Sequence, residues 1–187
     1  SDMKKLLYSS LTTEELEVPD GSYELENMVS TVVPNRNMIF FSLIASYALS
    51  LSKKNETEIE IALGAHSGDH ALYPDCTPEF YEKAFAAFKE GNWGSEKISI
   101  NMPYITKNKS DIVSDALISC DLLKLDFNQI MKNTLSSYEP TVDGKSSGNT
   151  STDIERILAF HDNGIVDPIE YTSSWEDVLK NALKNVN

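Results

Sequence analysis

The residues best suited to chemistry lie close together in segment 64–76, which contains two histidines and two aspartates. Asp69 and Asp75 are suited to general acid–base work, or to accepting hydrogen bonds from the N–H groups of a heterocycle. Alternatively, Asp75 only caps the turn that follows. His66 and His70 are four residues apart, which on a helix would direct both rings to one metal ion. Glycines in the same segment argue against a helix, so an ordinary polar loop without a metal is the favoured interpretation.

A second group of candidates stands at the start of an apolar helix. Arg36 and Asn37 lie there, and a guanidinium beside a helix N-terminus is a good site for a phosphate or a carboxylate. A helix cap with a surface ion pair is the alternative. Tyr73 is suited to stacking on a heterocycle or hydrogen-bonding to it, or simply to packing beside a proline. Cys76 has no identifiable base nearby and is expected to be a small, buried apolar side chain.

One strand and one helix must position these candidates. Residues 58–63 alternate polar and apolar side chains and precede a glycine, which predicts a strand. The nearly continuous apolar run 38–51 predicts a helix buried on most of its faces, with Asn37 as its cap. Segment 64–76 therefore leaves the carboxyl end of a strand, where open α/β sheets bind their ligands.

The rest of the chain alternates helices with strands. Thr77, Pro78 and Glu79 are typical of a helix start, and a second strand is expected at 97–101. Further helices are predicted at 108–118, 126–133, 154–162 and 175–185, and the Ser-, Gly- and Thr-rich segment 140–152 is predicted to be a mobile loop. This order predicts an α/β fold with a parallel sheet. With two predicted strands the sheet is partial, and its exposed edge invites pairing with another chain.

Composition excludes several classes of function. The chain has 187 residues and a formal net charge of −13, which argues against direct binding of nucleic acid, because that needs Lys and Arg to replace counterions. Two cysteines form neither a disulfide framework nor a thiolate zinc site. The most apolar run is shorter than the about 20 residues that a membrane span needs, and no signal sequence is visible. We expect a cytoplasmic protein without a membrane segment.

Three stretches of this sequence together resemble one known family. The first is Thr-Val-Val-Pro-Asn-Arg-Asn at 31–37, and the second is Gly-Ala-His-Ser-Gly-Asp-His-Ala-Leu-Tyr-Pro-Asp-Cys at 64–76. The third runs from Asp153 to Pro168. In this order and spacing they resemble 7-cyano-7-deazaguanine synthases, the QueC/ExsB family of PP-loop ATP pyrophosphatases. The similarity extends from about residue 2 to residue 171.

The resemblance implies a fold, a reaction and a set of ligands. The fold is a Rossmann-like (adenine nucleotide alpha hydrolase-like) parallel sheet with a helical carboxyl-terminal extension. The reaction converts 7-carboxy-7-deazaguanine and ammonia to 7-cyano-7-deazaguanine in queuosine biosynthesis, with ATP and Mg²⁺. The resemblance assigns no catalytic residue here, but it implies a substrate pocket lined by Arg36, Asn37, His66, Asp69, Tyr73, Asp75 and Lys109. For Lys109 a solvated side chain is the alternative.

Two departures from the family pattern affect the expected activity. The phosphate-binding Ser-Gly-Gly-x-Asp-Ser loop is absent from this sequence, so we expect residues 1–125 to be the remainder of a PP-loop domain and 126–187 its extension. The family's four zinc cysteines correspond here to Ser137, Ser147, Thr150 and Asp153. Hydroxyls cannot replace thiolates for zinc, so we predict no zinc and a loop that is either mobile or held by other contacts.

The expected function therefore has three versions. The complete protein is a carbon–nitrogen ligase that works only when an ATP-binding segment is supplied, and this segment alone is inactive. Alternatively, the chain is a non-catalytic remnant that binds a deazaguanine or acts as a scaffold. A third version is a phage- or defence-associated relative that attaches a deazaguanine to a macromolecule. A homodimer, or a partner chain that completes the sheet, is expected in each version.

Overall fold

The computed structural model describes residues 9, 11–12, 26–69 and 73–185. The chain divides into two compact units. The sheet unit is Val33–Lys107, and the helical unit is Ser1–Val32 with Asn108–Asn187. The boundary near residue 107 reflects compactness, whereas the division at residue 125 concerns the extent of a PP-loop domain and stays a prediction.

The sheet unit contains the predicted parallel pair of strands. β1 (Ile59–Ala62) and β2 (Ile98–Asn101) run parallel, with Ile59 opposite Ile98 and Ala62 opposite Asn101. Helix α1 (Arg36–Asn55) packs against both strands, and α2 (Pro78–Glu90) packs against α1. Short 3-10 helices lie at Ser67–Asp69, Pro74–Cys76 and Ser95–Lys97. The α/β class and the parallel pairing are confirmed, and within the described residues the sheet has these two strands.

The core of this unit forms where α1 and α2 meet the sheet. Phe41 is almost fully buried, and its ring lies edge-on to Tyr81, Phe85 and Phe88 of α2. Ile61 and Ile98 contribute the apolar face of the two strands. The helical spacing of these phenylalanines therefore serves packing in the core.

The prediction that α1 is buried on most of its faces was wrong. Phe40, Leu43 and Tyr47 are each about 60% exposed, at 59%, 64% and 63%. With the partly exposed Ile44 they form a stripe at helical spacing, which we call the α1 stripe. A continuous apolar run in the sequence does not reveal which face has a neighbour. The cap was also misplaced, because Asn35 is the N-cap and Asn37 lies in the first turn.

In the described part of the helical unit there are four α-helices with their connections. In chain order they are α3 (Lys109–Leu123), α4 (Phe127–Lys132), α5 (Ser151–Asp162) and α6 (Trp175–Lys184). A 3-10 helix spans Glu26–Thr31. α5 is central, since α3 and α6 both pack against it. Ile157 and Phe160 of α5 are fully buried between them.

Side-chain caps explain where most of these helices begin. Asn108 and Asp111 form a capping box at α3, and Thr150 and Asp153 form one at α5. Ser174 caps α6 by accepting from Asp177 N.

A buried ion pair also stabilises this unit: Arg156 contacts Asp167 through two guanidinium nitrogens. No helix in the described part of the chain is long and apolar enough to cross a membrane.

Candidate functional site

A cavity of about 340 Å³ opens at the carboxyl end of β1. Its size suits a small molecule. Most of its wall is apolar and comes from the start of α1, the residues after β1 and α2. The lining residues are Arg36, Asn37, Phe40, Phe41, Ile44, Leu63, Gly64, Ala65, Cys76 and Tyr81. Segment 64–76 thus reaches the expected end of the strand.

Asn37 connects the first turn of α1 to the loop that contains Asp75. The backbone N–H of Asn37 donates to Asp75 Oδ2 at 3.2 Å. The side-chain amide of Asn37 donates to the carbonyl oxygen of Asp75 and to Cys76 Sγ, both at 3.2 Å. Asp75 therefore caps α1, whereas the alternative drawn from the sequence had it cap the turn that follows. A carboxylate at a helix N-terminus is favoured by the helix dipole.

Arg36 lies beside this connection and over an aromatic ring. Its Cζ is 5.8 Å from the centroid of the Tyr73 ring, a cation–π contact. Its Nε donates to Asn37 Oδ1 at 3.3 Å. Tyr73 is buried, so its ring is held in place and helps to fix the position of the Arg36 guanidinium. Arg36 is the cation of the cavity wall.

The other candidates of segment 64–76 are not among the described residues that line the cavity, which holds for Tyr73 and Asp75 as well. His66 is buried, and its Nδ1 accepts from the backbone N–H of Gly68 at 3.1 Å. The backbone of Asp69 ends a 3-10 helix, but its side chain lies outside the described part of the structure, as does the whole of His70. The alternative metal pair of His66 and His70 therefore stays untested.

Lys109 belongs to the helical unit, at the start of α3. Its Nζ lies 2.6 Å from Glu155 Oε2 of α5, and both side chains are about four-fifths buried. The simple alternative of a solvated lysine does not describe this position. Whether Lys109 also contacts the substrate stays a prediction.

The apolar cavity wall was missed in the sequence. Phe40 and Ile44 lie in the run 38–51, for which the sequence predicted a helix buried on most of its faces. Leu63 and Ala65 flank Gly64 at the end of β1. The usable signal was their position next to the strand end, where open α/β sheets bind ligands.

Comparison with known proteins decides the family. A family model described as "Queuosine biosynthesis protein QueC" matches residues 1–164. The chain belongs to the QueC family. The resemblance seen in the three sequence stretches is thereby confirmed.

Curated QueC-family relatives match along most of the chain. "7-cyano-7-deazaguanine synthase 1" of Colwellia psychrerythraea is 40% identical over 171 residues, covering 91% of this chain and 71% of the relative. The synthase of Pseudoalteromonas translucida is 37% identical with the same coverage. That of Psychromonas ingrahamii is 42% identical over 163 residues, covering 87% of this chain and 66% of the relative. No solved structure matches significantly.

The four positions that the resemblance matches to zinc cysteines meet around one carboxylate, that of Asp153. Ser137 Oγ and Ser147 Oγ each donate to Asp153 Oδ2 at 3.2 Å. The N–H of Thr150 donates to the same oxygen at 3.2 Å. Zinc in structural sites binds thiolates and imidazoles, and these hydroxyl and amide groups do not fit it. The part of the chain that the structure describes has no group of three or more His, Cys, Asp or Glu placed to hold a metal ion.

Proposed function

We propose that this chain supplies the deazaguanine-binding part of a 7-cyano-7-deazaguanine synthase. The complete enzyme converts 7-carboxy-7-deazaguanine and ammonia to 7-cyano-7-deazaguanine with ATP and Mg²⁺. The observation that carries this proposal is the QueC family match over residues 1–164. The cavity at the end of β1 supports it, because its position, volume and lining suit a small heterocyclic acid.

The cavity wall, together with Asp75 bonded to the lining residue Asn37, offers a contact for each part of the substrate. The guanidinium of Arg36 pairs with the carboxylate, and its planar fork matches that group. The apolar side chains of Phe40, Ile44 and Leu63 cover the faces of the heterocycle. Asp75 Oδ1 accepts from the amino group or the ring N–H, while Oδ2 stays on Asn37. His66, Asp69 and Tyr73 complete the proposed substrate set of the sheet unit, and Lys109 stays a separate prediction from the family resemblance alone.

The proposed chemistry follows from the conversion of a carboxylate to a nitrile, in which both carboxylate oxygens must leave. The substrate carboxylate attacks the α-phosphorus of ATP and expels pyrophosphate, which gives an acyl adenylate. Ammonia attacks the acyl carbon and expels AMP, which gives an amide. Removing the amide oxygen to form the nitrile requires a second activation of the same kind. When ammonia attacks the acyl carbon, negative charge develops on the acyl oxygen, and we assign its stabilisation to the guanidinium of Arg36.

ATP binding requires a phosphate-binding segment in addition to these 187 residues. The family's Ser-Gly-Gly-x-Asp-Ser loop does not occur among them, and the 171 matched residues make up 71% of the Colwellia relative. We propose that the α1 stripe receives this segment. Phe40 and Ile44 belong to both the stripe and the cavity wall. A phosphate-binding segment that covered the stripe would therefore bring the phosphates of its bound ATP next to Arg36. A homodimer is the alternative occupant.

Nitrile synthesis by the complete gene product is the decisive test. The purified protein receives 7-carboxy-7-deazaguanine, ammonia, ATP and Mg²⁺, and the nitrile and AMP are measured by mass spectrometry. The same assay is repeated with the 187-residue chain, alone and with the phosphate-loop segment of the Colwellia relative added. We expect product from the complete protein, none from the chain alone, and partial activity on addition of the segment.

Other outcomes would support the other interpretations. Heterocycle binding with no nitrile from the complete protein would contradict the proposal and favour a binding remnant. A mass increase on a co-expressed macromolecule would favour transfer of the deazaguanine. Neither alternative is favoured at present, since the curated relatives reported above are named as synthases.

A further inference from the structure

We propose that the buried carboxylate of Asp153 organises segment 137–153 in the place where relatives of this chain use a structural metal ion. This inference is independent of the proposed function. Ser137, Ser147 and the N–H of Thr150 converge on Asp153 Oδ2, each at 3.2 Å. Ser146 Oγ donates to Asp153 Oδ1 at 2.7 Å. Both carboxylate oxygens thus have donors, and every donor comes from within the helical unit.

Burial makes this arrangement energetically important. Asp153 is 1% exposed, and Ser146 and Thr150 are buried equally deeply. A buried carboxylate is costly unless hydrogen bonds satisfy it. Here four donors do so, and hydrogen bonds to a charged acceptor are the stronger kind. The carboxylate therefore holds its surroundings in one arrangement, because each donor that leaves makes the buried charge less well compensated.

The charge at the centre of this arrangement is the opposite of that in a zinc site. In both cases several groups from one segment converge on a single charged centre. A structural zinc is a cation that gathers four anionic or neutral ligands. Asp153 is an anion that gathers hydroxyl and amide donors. Serine at positions 137 and 147 suits this reversal, because both hydroxyls donate to Asp153, whereas Thr150 donates through its backbone N–H.

The carboxylate joins three separate parts of the helical unit. Ser137 follows α4, and Thr150 begins α5. Ser146 is also fixed by backbone bonds, since its N–H donates to Glu170 O at 3.0 Å and its carbonyl accepts from Thr172 N at 2.9 Å. Segment 140–152 is held by contacts, which is the second alternative left open by the sequence.

The test compares Asp153→Asn with Asp111→Asn by thermal unfolding of the full chain. Both aspartates occupy the third position of a capping box, but Asp111 is exposed and accepts only within its cap. Asp153→Asn places an NH₂ group or a neutral oxygen where four donors converge. We expect it to lower the Tm by about 5–10 °C, against about 1–3 °C for Asp111→Asn. Equal shifts for the two variants would overturn the proposal.

If the Asp153→Asn variant fails to fold, removal of a single hydrogen-bond donor to Asp153 provides a less disruptive test. Ser146→Ala removes the hydroxyl on Oδ1, whereas Ser110→Ala removes an exposed hydroxyl that donates to Asp162 Oδ2 at 2.6 Å. We expect a Tm loss of about 3–8 °C for Ser146→Ala and less than about 2 °C for Ser110→Ala. A loss no greater at Ser146 than at Ser110 contradicts the proposal.

Metal analysis of the wild-type chain completes the test. The protein is expressed with added zinc, its metal content is measured, and its Tm is recorded with and without a strong chelator. We expect far less than one zinc per chain and no change of Tm in the chelator. One zinc per chain, together with a Tm that falls on chelation, would overturn the role assigned to Asp153.

Discussion

The carboxylate of Asp75 accepts a hydrogen bond from the backbone N–H of Asn37, a residue 38 positions earlier in the chain. The Asn37 side chain returns a bond to the carbonyl oxygen of Asp75. The two residues thus hold the loop after β1 against the first turn of α1, where Arg36 faces the cavity. Positioning of the proposed substrate contacts depends on this pair.

The Asn37–Asp75 connection should appear as a coupling energy in urea unfolding. Asp75→Ala leaves the N–H of Asn37 without its acceptor and should cost about 1–2 kcal/mol, as for loss of a helix cap. Asn37→Ala removes the return bonds and should cost about 1 kcal/mol. The double variant should cost less than the sum by about 0.5–1 kcal/mol. Strict additivity would show that the two residues act independently.

Arg36 should distinguish the substrate carboxylate from the rest of the heterocycle. We expect Arg36→Ala to weaken binding of 7-carboxy-7-deazaguanine about 10- to 100-fold, the range for losing a charge-assisted contact. Arg36→Lys should recover only part of this loss, because an ammonium lacks the planar fork. The matched control is 7-deazaguanine, which has no carboxylate. If calorimetry showed equal losses of affinity for both ligands, the proposal that Arg36 binds the substrate carboxylate would be contradicted.

Lys109 should be tested together with its partner Glu155. If the pair stabilises the helical unit, Lys109→Met and Glu155→Gln should each lower the free energy of unfolding by about 1 kcal/mol. If Lys109 also contacts the substrate, Lys109→Met alone should raise the Kd. Calorimetry and urea unfolding on both variants separate these roles. Unchanged stability in both variants would contradict a structural pair.

Gly148 should tolerate alanine much less well than Gly144. Both glycines have positive φ, at +77° and +83°, where an L side chain is strained. At Gly148 a Cβ would also lie 2.7 Å from Val178 Cγ1, whereas at Gly144 it would meet open space. We expect about 1 kcal/mol for Gly144→Ala and at least about 2 kcal/mol for Gly148→Ala. Equal costs in thermal unfolding would show that α6 does not pack closely on this turn.

Tyr171 should make stability fall at alkaline pH. Its hydroxyl donates to Asp167 Oδ2 at 2.8 Å, and burial together with this carboxylate raises the pKa of the Tyr171 phenol above its usual value. A group whose pKa is raised on folding stabilises the fold below its unfolded pKa of about 10 and loses that contribution above it. Wild-type stability should therefore fall more steeply above pH 10 than that of Tyr171→Phe. Parallel pH profiles would contradict the raised pKa.

The sequence by itself determined the local elements and the family. Cap residues such as Thr77, Asn108 and Ser174 mark helix starts because their side chains satisfy N–H groups a few residues away. Alternation at 58–63 predicts β1 because side chains on a strand alternate between its two faces. These signals act over a few residues, so they can be read without a fold.

Only the tertiary structure decided which groups Asp75 and Asp153 contact and which face of α1 is exposed. Asp75 caps α1, the α1 stripe is exposed, and Asp153 is surrounded by donors. The first depends on residues 38 positions apart, the second on which face of a helix has a neighbour, and the third on how segment 137–153 folds back on Asp153. A hydroxyl in a Ser- and Thr-rich segment looks the same whether it is solvated or bonded to a buried carboxylate. Convergence in space, which burial and long-range packing create, makes the difference.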